Sequence, residues 1–255
     1  MPDLSSLIDP FKMGEDLPGQ LEMVRRLAPQ HCTSCGGFHL AWAERRAKTD
    51  HESELFLNPE FTNGILASIG RLHEAGHLAI SIFIAGSADT KLLAACAYAV
   101  AIQKYFPRDA AEFHVMDACE TPLQLSRSYA ERFGLRIGTT AGDIPDAIPN
   151  VSANLLVVSG LLRFIPDERK ALTMTRLRSL LSNGGAMAFT QSIRNNDDQN
   201  PSHFESNNPA DLRNLIERSG FVIEREATTT ISLSSGSEDR RKRTRYAVIA
   251  MAGRS

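Results

Sequence analysis

The spacing of apolar positions changes character once along the chain. Before residue 78 they recur at helical intervals in Gln20–Ala28, Leu40–Thr49 and Phe61–Ala75, with charges between them and breaks at Pro18, Pro29, Pro59 and Gly76. No run of strand type occurs there. From Leu78 the pattern alternates. Leu78-Ala-Ile-Ser-Ile-Phe-Ile-Ala85 is a continuous apolar run ended by Gly86, which predicts a strand covered on both faces, and a helix follows over Lys91–Tyr105. Glu112–Met116, Leu135–Thr139, Ala153–Val158 and Ala186–Thr190 read as further strands. Pro122–Phe133 predicts a helix in which Thr121 is the cap, Pro122 takes the first position and Gln124 completes a capping box. Asp167–Leu181 predicts another, stopped by Asn183-Gly184-Gly185.

The end of the chain breaks the alternation. Pro209–Ser219 predicts a helix ended by Gly220, and Phe221–Glu226 and Tyr246–Met251 predict two strands. The polar stretch Ser234–Arg245 between them has no room for a crossover helix, so these strands must be antiparallel. The expected fold is α/β: a Rossmann-like, doubly wound sheet of seven strands, mostly parallel, with an antiparallel hairpin at its C-terminal edge. Residues 1–77 are expected to form a helical cap or lid, and residues 78–255 the sheet domain.

Composition mainly excludes. With 255 residues, 42% of them hydrophobic and 23% charged, the chain can form a core without disulfides or metal. A net charge of -2 argues against a protein that coats nucleic acid. No apolar run approaches the ~20 residues of a membrane span. The N-terminal stretch lacks the basic start and apolar centre of a signal peptide, and the four cysteines suit a reducing compartment. The cytoplasm is therefore the expected location, and a homodimer is left open.

Ligands of open α/β sheets bind beyond the carboxyl ends of the strands, near the point where strand order reverses. The residues that follow each strand are thus the candidate site. They are Ala85, Gly86, Ser87, Ala88 and Asp89 after strand one, and Asp117, Ala118, Cys119 and Thr121 after strand two. Asp143 and Ile144 follow strand three, and Ser159 and Gly160 follow strand four. Gly86 lets backbone approach a ligand, but Ala88 and Lys91 stand where a dinucleotide fingerprint needs glycines. A carboxylate at Asp89 also competes with phosphate for the amides of the following helix. An acid ending strand two suits a ribose diol, and Asp143 with the Ile144 N–H suits an adenine edge. Together they describe an adenosine without phosphates. The alternative reading of Asp117 and Asp143 is an ordinary turn residue.

On these residues the chain resembles a known family. Residues 78–193 are similar to the core of class I S-adenosylmethionine-dependent methyltransferases. Asp117-Ala-Cys-Glu-Thr-Pro-Leu-Gln-Leu-Ser-Arg127 resembles, without a gap, that family's D-x-S-x-x-M-L-x-x-A-R segment. Asn154-Leu-Leu-Val-Val-Ser-Gly-Leu-Leu-Arg-Phe-Ile-Pro-Asp167 resembles its strand-four signature, and Leu177-Arg-Ser-Leu-Leu-Ser-Asn-Gly-Gly185 its turn before strand five. The first loop departs: where the family has D/E-x-G-x-G-x-G, this chain has Ile84-Ala-Gly-Ser-Ala-Asp-Thr90, as in a bacterial subgroup with an eroded loop. The resemblance implies S-adenosyl-L-methionine as cofactor and methyl transfer to an acceptor. No N-P-P-Y-like tetrapeptide follows strand four, so a small-molecule acceptor is expected rather than nucleic acid. A catalytically silent scaffold or partner subunit of the same fold remains an alternative, as does other chemistry of the sulfonium. No catalytic residue stands out, and Asp89 facing the cofactor's ammonium group is one reading of the altered loop.

Three features lie outside that frame. His31-Cys32-Thr-Ser-Cys35-Gly-Gly-Phe-His39 has C-x-x-C spacing, but four ligands from nine residues is cramped and no second such pair exists, so no metal is expected. The basic run Glu238–Arg245 reads as a solvated hairpin loop. Of the seven histidines, His203 lies in the insertion 194–209 on the ligand side of the sheet, where it reads as a general base or, more commonly for a loop histidine, as simply exposed.

Overall fold

A computed structural model describes residues 14–32, 35–48, 59–193, 208–233 and 241–253. Among the described residues seven strands form one sheet: β1 (Ile80–Ala85), β2 (Ala111–Asp117), β3 (Arg136–Ala141), β4 (Ala153–Ser159), β5 (Leu181–Ile193), β6 (Phe221–Leu233) and β7 (Arg241–Ala252). Their order is β3-β2-β1-β4-β5-β7-β6, parallel through β5, with β7 antiparallel to both β5 and β6. This is the expected α/β class with its edge hairpin. The helices are α1 (Leu17–His31), α2 (Phe38–Lys48), α3 (Pro59–Glu74), α4 (Lys91–Gln103), α5 (Glu120–Phe133), α6 (Asp167–Ser179) and α7 (Pro209–Arg218).

Successive side chains of a strand point to opposite faces, and both faces of β1 are buried. Ile80, Ile82 and Ile84 pack with α3, α4 and α5 on one side. Phe83 and Ala85 pack with α6 and α7 on the other. That double coverage is why the strands read as continuous apolar runs.

The expected division at residue 77 cuts through this layer. Phe61, Ile65, Ile69 and Leu72 of α3 belong to the same core cluster as β1, β4, β5 and β7. Gly64 shows how close the contact is: a Cβ there would meet Ile249 Cδ1 at 1.8 Å. Helices α1 and α2 pack on α5 through Val24, Ala28, Leu40, Ala43 and Leu125.

Other boundaries shift for local reasons. Helix α5 starts at Glu120, before the expected Pro122, with Cys119 as an extended N-cap residue whose side chain makes no capping bond. Thr121 therefore sits inside the first turn and the expected capping box does not form. Its hydroxyl accepts from Cys32 Sγ at 3.1 Å, and Gln124 donates to Glu120 Oε1 at 3.0 Å. The Asn183-Gly184-Gly185 turn lies within β5, beside a register shift between Ala153 and Leu155, with Gly184 at φ 75°. The hairpin strands are longer than their apolar cores, so Arg245, expected in a solvated loop, pairs with Ser192 and Thr229 and is buried. Residues 234–240 and His203 lie outside the described residues.

Candidate functional site

Strand β1 has β2 on one side and β4 on the other, so the loops after these strands diverge at their carboxyl ends. Between them is a cleft of ≈ 540 Å³, ample for a small molecule. The sheet thus brings together residues from four separate loops. Gly86, Ser87, Ala88, Asp89, Asp117, Ala118, Asp143, Ile144, Ser159 and Gly160 all line the cleft. Ala85, Cys119 and Thr121 do not. Ala85 faces the α6–α7 core, and Cys119 and Thr121 are buried behind Asp117.

Gly86 is needed where it stands. Its φ is 74°, and a Cβ there would come within 2.9 Å of Leu161 Cδ1. Asp117 ties two loops together: Oδ2 accepts the Ser87 N–H at 3.0 Å and Oδ1 accepts the Cys119 N–H at 2.8 Å. Burial pushes its carboxyl up to about 7, against the two amides and with help from Asp143. Each oxygen keeps a lone pair for a further donor, and the residue borders the cleft. His39 Nε2 lies 3.7 Å from Asp117 Oδ1. Burial holds the His39 ring down to about 4, so at neutral pH this approach is not an ion pair.

Asp89 is already partnered. Its Oδ2 accepts from Trp42 Nε1 and from Arg46, each at 2.6 Å, and Oδ1 accepts the Lys91 N–H at 2.8 Å. Burial raises its pKa, but Arg46 and Lys91 hold it below the usual carboxylate range. Protein donors, rather than an expected ligand ammonium, engage the oxygens. Arg46 also forks onto Glu15, at 3.2 and 3.1 Å, and Thr90 donates to Glu15 at 2.6 Å. This buried network fastens the cap to the loop after β1.

The cap also supplies a wall that the sequence did not announce. Phe38 of α2 meets Phe164 edge-on at 4.8 Å and stacks with Trp42 at 6.0 Å. Arg163 lies over the Phe38 and Phe164 rings, 5.8 and 5.1 Å from their centroids. His39, Trp42 and Arg245 reach the same cleft. An aromatic pair at helical spacing followed by a basic helix was the signal available in Phe38-His-Leu-Ala-Trp-Ala-Glu-Arg-Arg46. It reads equally well as a surface helix.

No protein-family profile and no curated protein sequence matches the chain. Solved structures do. The chain is similar to the N-methyltransferase NodS of Bradyrhizobium japonicum bound to S-adenosyl-L-homocysteine, at 16% identity and TM-score 0.54, over 86% of this chain and 100% of that one. It is similar to an S-adenosylmethionine-dependent methyltransferase of Clostridium acetobutylicum, at 11% identity and TM-score 0.54, over 84% and 98% of the two chains. It is also similar to one from Methanosarcina mazei, at 11% identity and TM-score 0.50, over 72% and 98%. These likenesses establish the Rossmann-like methyltransferase fold.

Proposed function

We propose that the cleft binds S-adenosyl-L-methionine and that the protein transfers its methyl group to a small-molecule acceptor. The observation that carries this is the convergence of Gly86, Asp117, Asp143 and Ile144 on one cleft at the strand reversal. Asp117 would take the ribose diol, Asp143 and the Ile144 N–H the adenine edge, and the backbone of Gly86–Ala88 the amino-acid end. When bound, the cofactor supplies an electrophilic methyl on a sulfonium. The chain's own part is to hold an acceptor in line with that methyl and keep water out. Phe38, Trp42 and Phe164 wall the cleft for this purpose. The proposal needs no acid or base from the protein, and none is assigned.

The test is isothermal titration of the full chain with the cofactor and with its demethylated product. Micromolar affinity is expected. Asp117→Ala should weaken it by about 1.5–3 kcal/mol, the worth of hydrogen bonds to a charged acceptor. A folded Asp117→Ala chain with unchanged affinity would remove the ribose assignment. A wild-type chain that binds neither molecule would overturn the whole reading and favour the silent scaffold.

A further inference from the structure

Four soft or borderline donors meet beside Asp117, two of them, Cys35 and His39, at the wall of the cleft. Cys32 follows the end of α1, Cys35 lies in the turn before α2, His39 is on the first turn of α2, and Cys119 is the N-cap of α5. Their donor atoms all lie within 4.8 Å of one another, with Cys32 Sγ and His39 Nδ1 3.3 Å apart. Ideal tetrahedral zinc, with Zn–S near 2.3 Å and Zn–N near 2.0 Å, separates sulfur from sulfur by about 3.8 Å and sulfur from nitrogen by about 3.5 Å. The observed spread surrounds those values, so a small contraction closes the shell. All four residues are partly or fully buried.

We infer that Cys32, Cys35, His39 and Cys119 form a structural zinc site that clips the helical cap to the start of α5. This departs from the expectation of no metal, which counted donors within His31–His39 alone. In the fold the fourth donor comes from the loop after β2. Gly36 and Gly37, with φ of 57° and 82°, turn the chain so that His39 returns beside Cys32 and Cys35. Four protein donors leave no open position, so the metal is a clip and not a Lewis acid for substrate. On binding, each of the three thiols loses its proton to solvent and forms a thiolate–zinc bond, while the neutral imidazole coordinates through Nδ1. Its Nε2 lies 3.7 Å from Asp117 Oδ1, and the ring's hydrogen-bond partner is the Ser87 backbone, which can fix the tautomer and orientation of a metal-bound histidine. Cys119 also donates its N–H to Asp117 Oδ1 at 2.8 Å, so the clip adjoins the carboxylate proposed for the ribose, although the zinc assignment does not depend on that proposal.

The test uses the untagged full chain expressed with zinc. Elemental analysis should give one equivalent of zinc per chain, and Cys32→Ser and Cys119→Ser should each lower it at least fivefold. Replacing zinc with cobalt(II) should give thiolate-to-cobalt charge transfer and the visible bands of a tetrahedral ion. Calorimetry of zinc binding to the chelated chain, in buffers of different ionisation enthalpy, should show close to three protons released. Intact mass under non-reducing conditions should show all four cysteines reduced. Absence of metal after zinc titration, or a mass two hydrogens light from a disulfide within the cluster, would overturn the site. Full zinc retention in Cys119→Ser would place the metal elsewhere. Should a serine variant fail to fold, the cobalt spectrum and proton count of the wild-type chain decide alone.

Discussion

Deleting residues 1–75 removes α3 together with the cap, and the cost can be worked from the packing. The sheet loses Phe61, Ile65, Ile69 and Leu72, which are 1%, 3%, 0% and 4% exposed. A fully buried large apolar side chain is worth about 1.5–3 kcal/mol, so the four amount to about 6–12 kcal/mol. An ordinary domain has only about 5–15 kcal/mol in total. Their loss also bares the faces of β4, β5 and β7 that α3 covers, including the Ile249 side chain packed against Gly64. A chain beginning at Gly76 is therefore expected to lack a cooperative unfolding transition and to aggregate. A chain beginning at residue 57 drops α1 and α2 but keeps α3, and it should unfold cooperatively at a lower midpoint. Urea titrations followed by far- and near-ultraviolet circular dichroism distinguish the two. If the chain from Gly76 unfolds cooperatively within about 1 kcal/mol of the full chain, α3 is not part of the core and the area reasoning fails.

Two further predictions concern the buried charges. Arg46→Met leaves Glu15 and Asp89 buried without their cation, at a cost of about 3–5 kcal/mol. Hydrogen exchange in α1 and α2 should accelerate about a hundredfold or more, and unchanged protection would show that water already shares the network. Lys91 is fully buried in α4, where burial and then Arg46 hold its pKa down to about 7, against Asp89 and Glu15. Between about pH 7 and its unfolded value near 10.5 the unfolded chain binds a proton that the native chain does not, so this residue makes stability rise with pH in that window. Lys91→Met should remove up to about 1.4 kcal/mol per pH unit of that rise between pH 7 and 8.5, where the thiol titration is common to both chains and cancels in the comparison. Parallel stability curves for the two chains would refute the shift.

The sheet was legible because each central strand is buried on both faces, and such strands write continuous apolar runs. The hairpin ends were less so. Thr228, Thr229 and Thr230 extend β6 without an apolar signal, since pairing with β7 needs only their backbone. Loop positions such as Gly86, Asp117 and Asp143 could be named because topology fixes where strand ends meet. The partners of Asp89 could not. Burial of Glu15 and Arg46 depends on contacts with residues dozens of positions away, and a charged residue on a polar helix gives no local sign of it. Cys119 is the same case: its place beside Cys32 is a property of the fold, not of spacing.

Strand β7 is the last of the seven to be synthesised, yet it lies inside the sheet between β5 and β6. Both neighbours leave the ribosome before their shared partner. Until Arg241–Ala252 emerges, β5 shows the open edge of Ala186–Ile193, and β6 has no strand to pair with. An unpaired apolar edge of that kind templates association with other chains. The order of synthesis and the order of the sheet disagree here. A nascent or prematurely ended chain is most exposed to aggregation there, and a single late segment closes the gap.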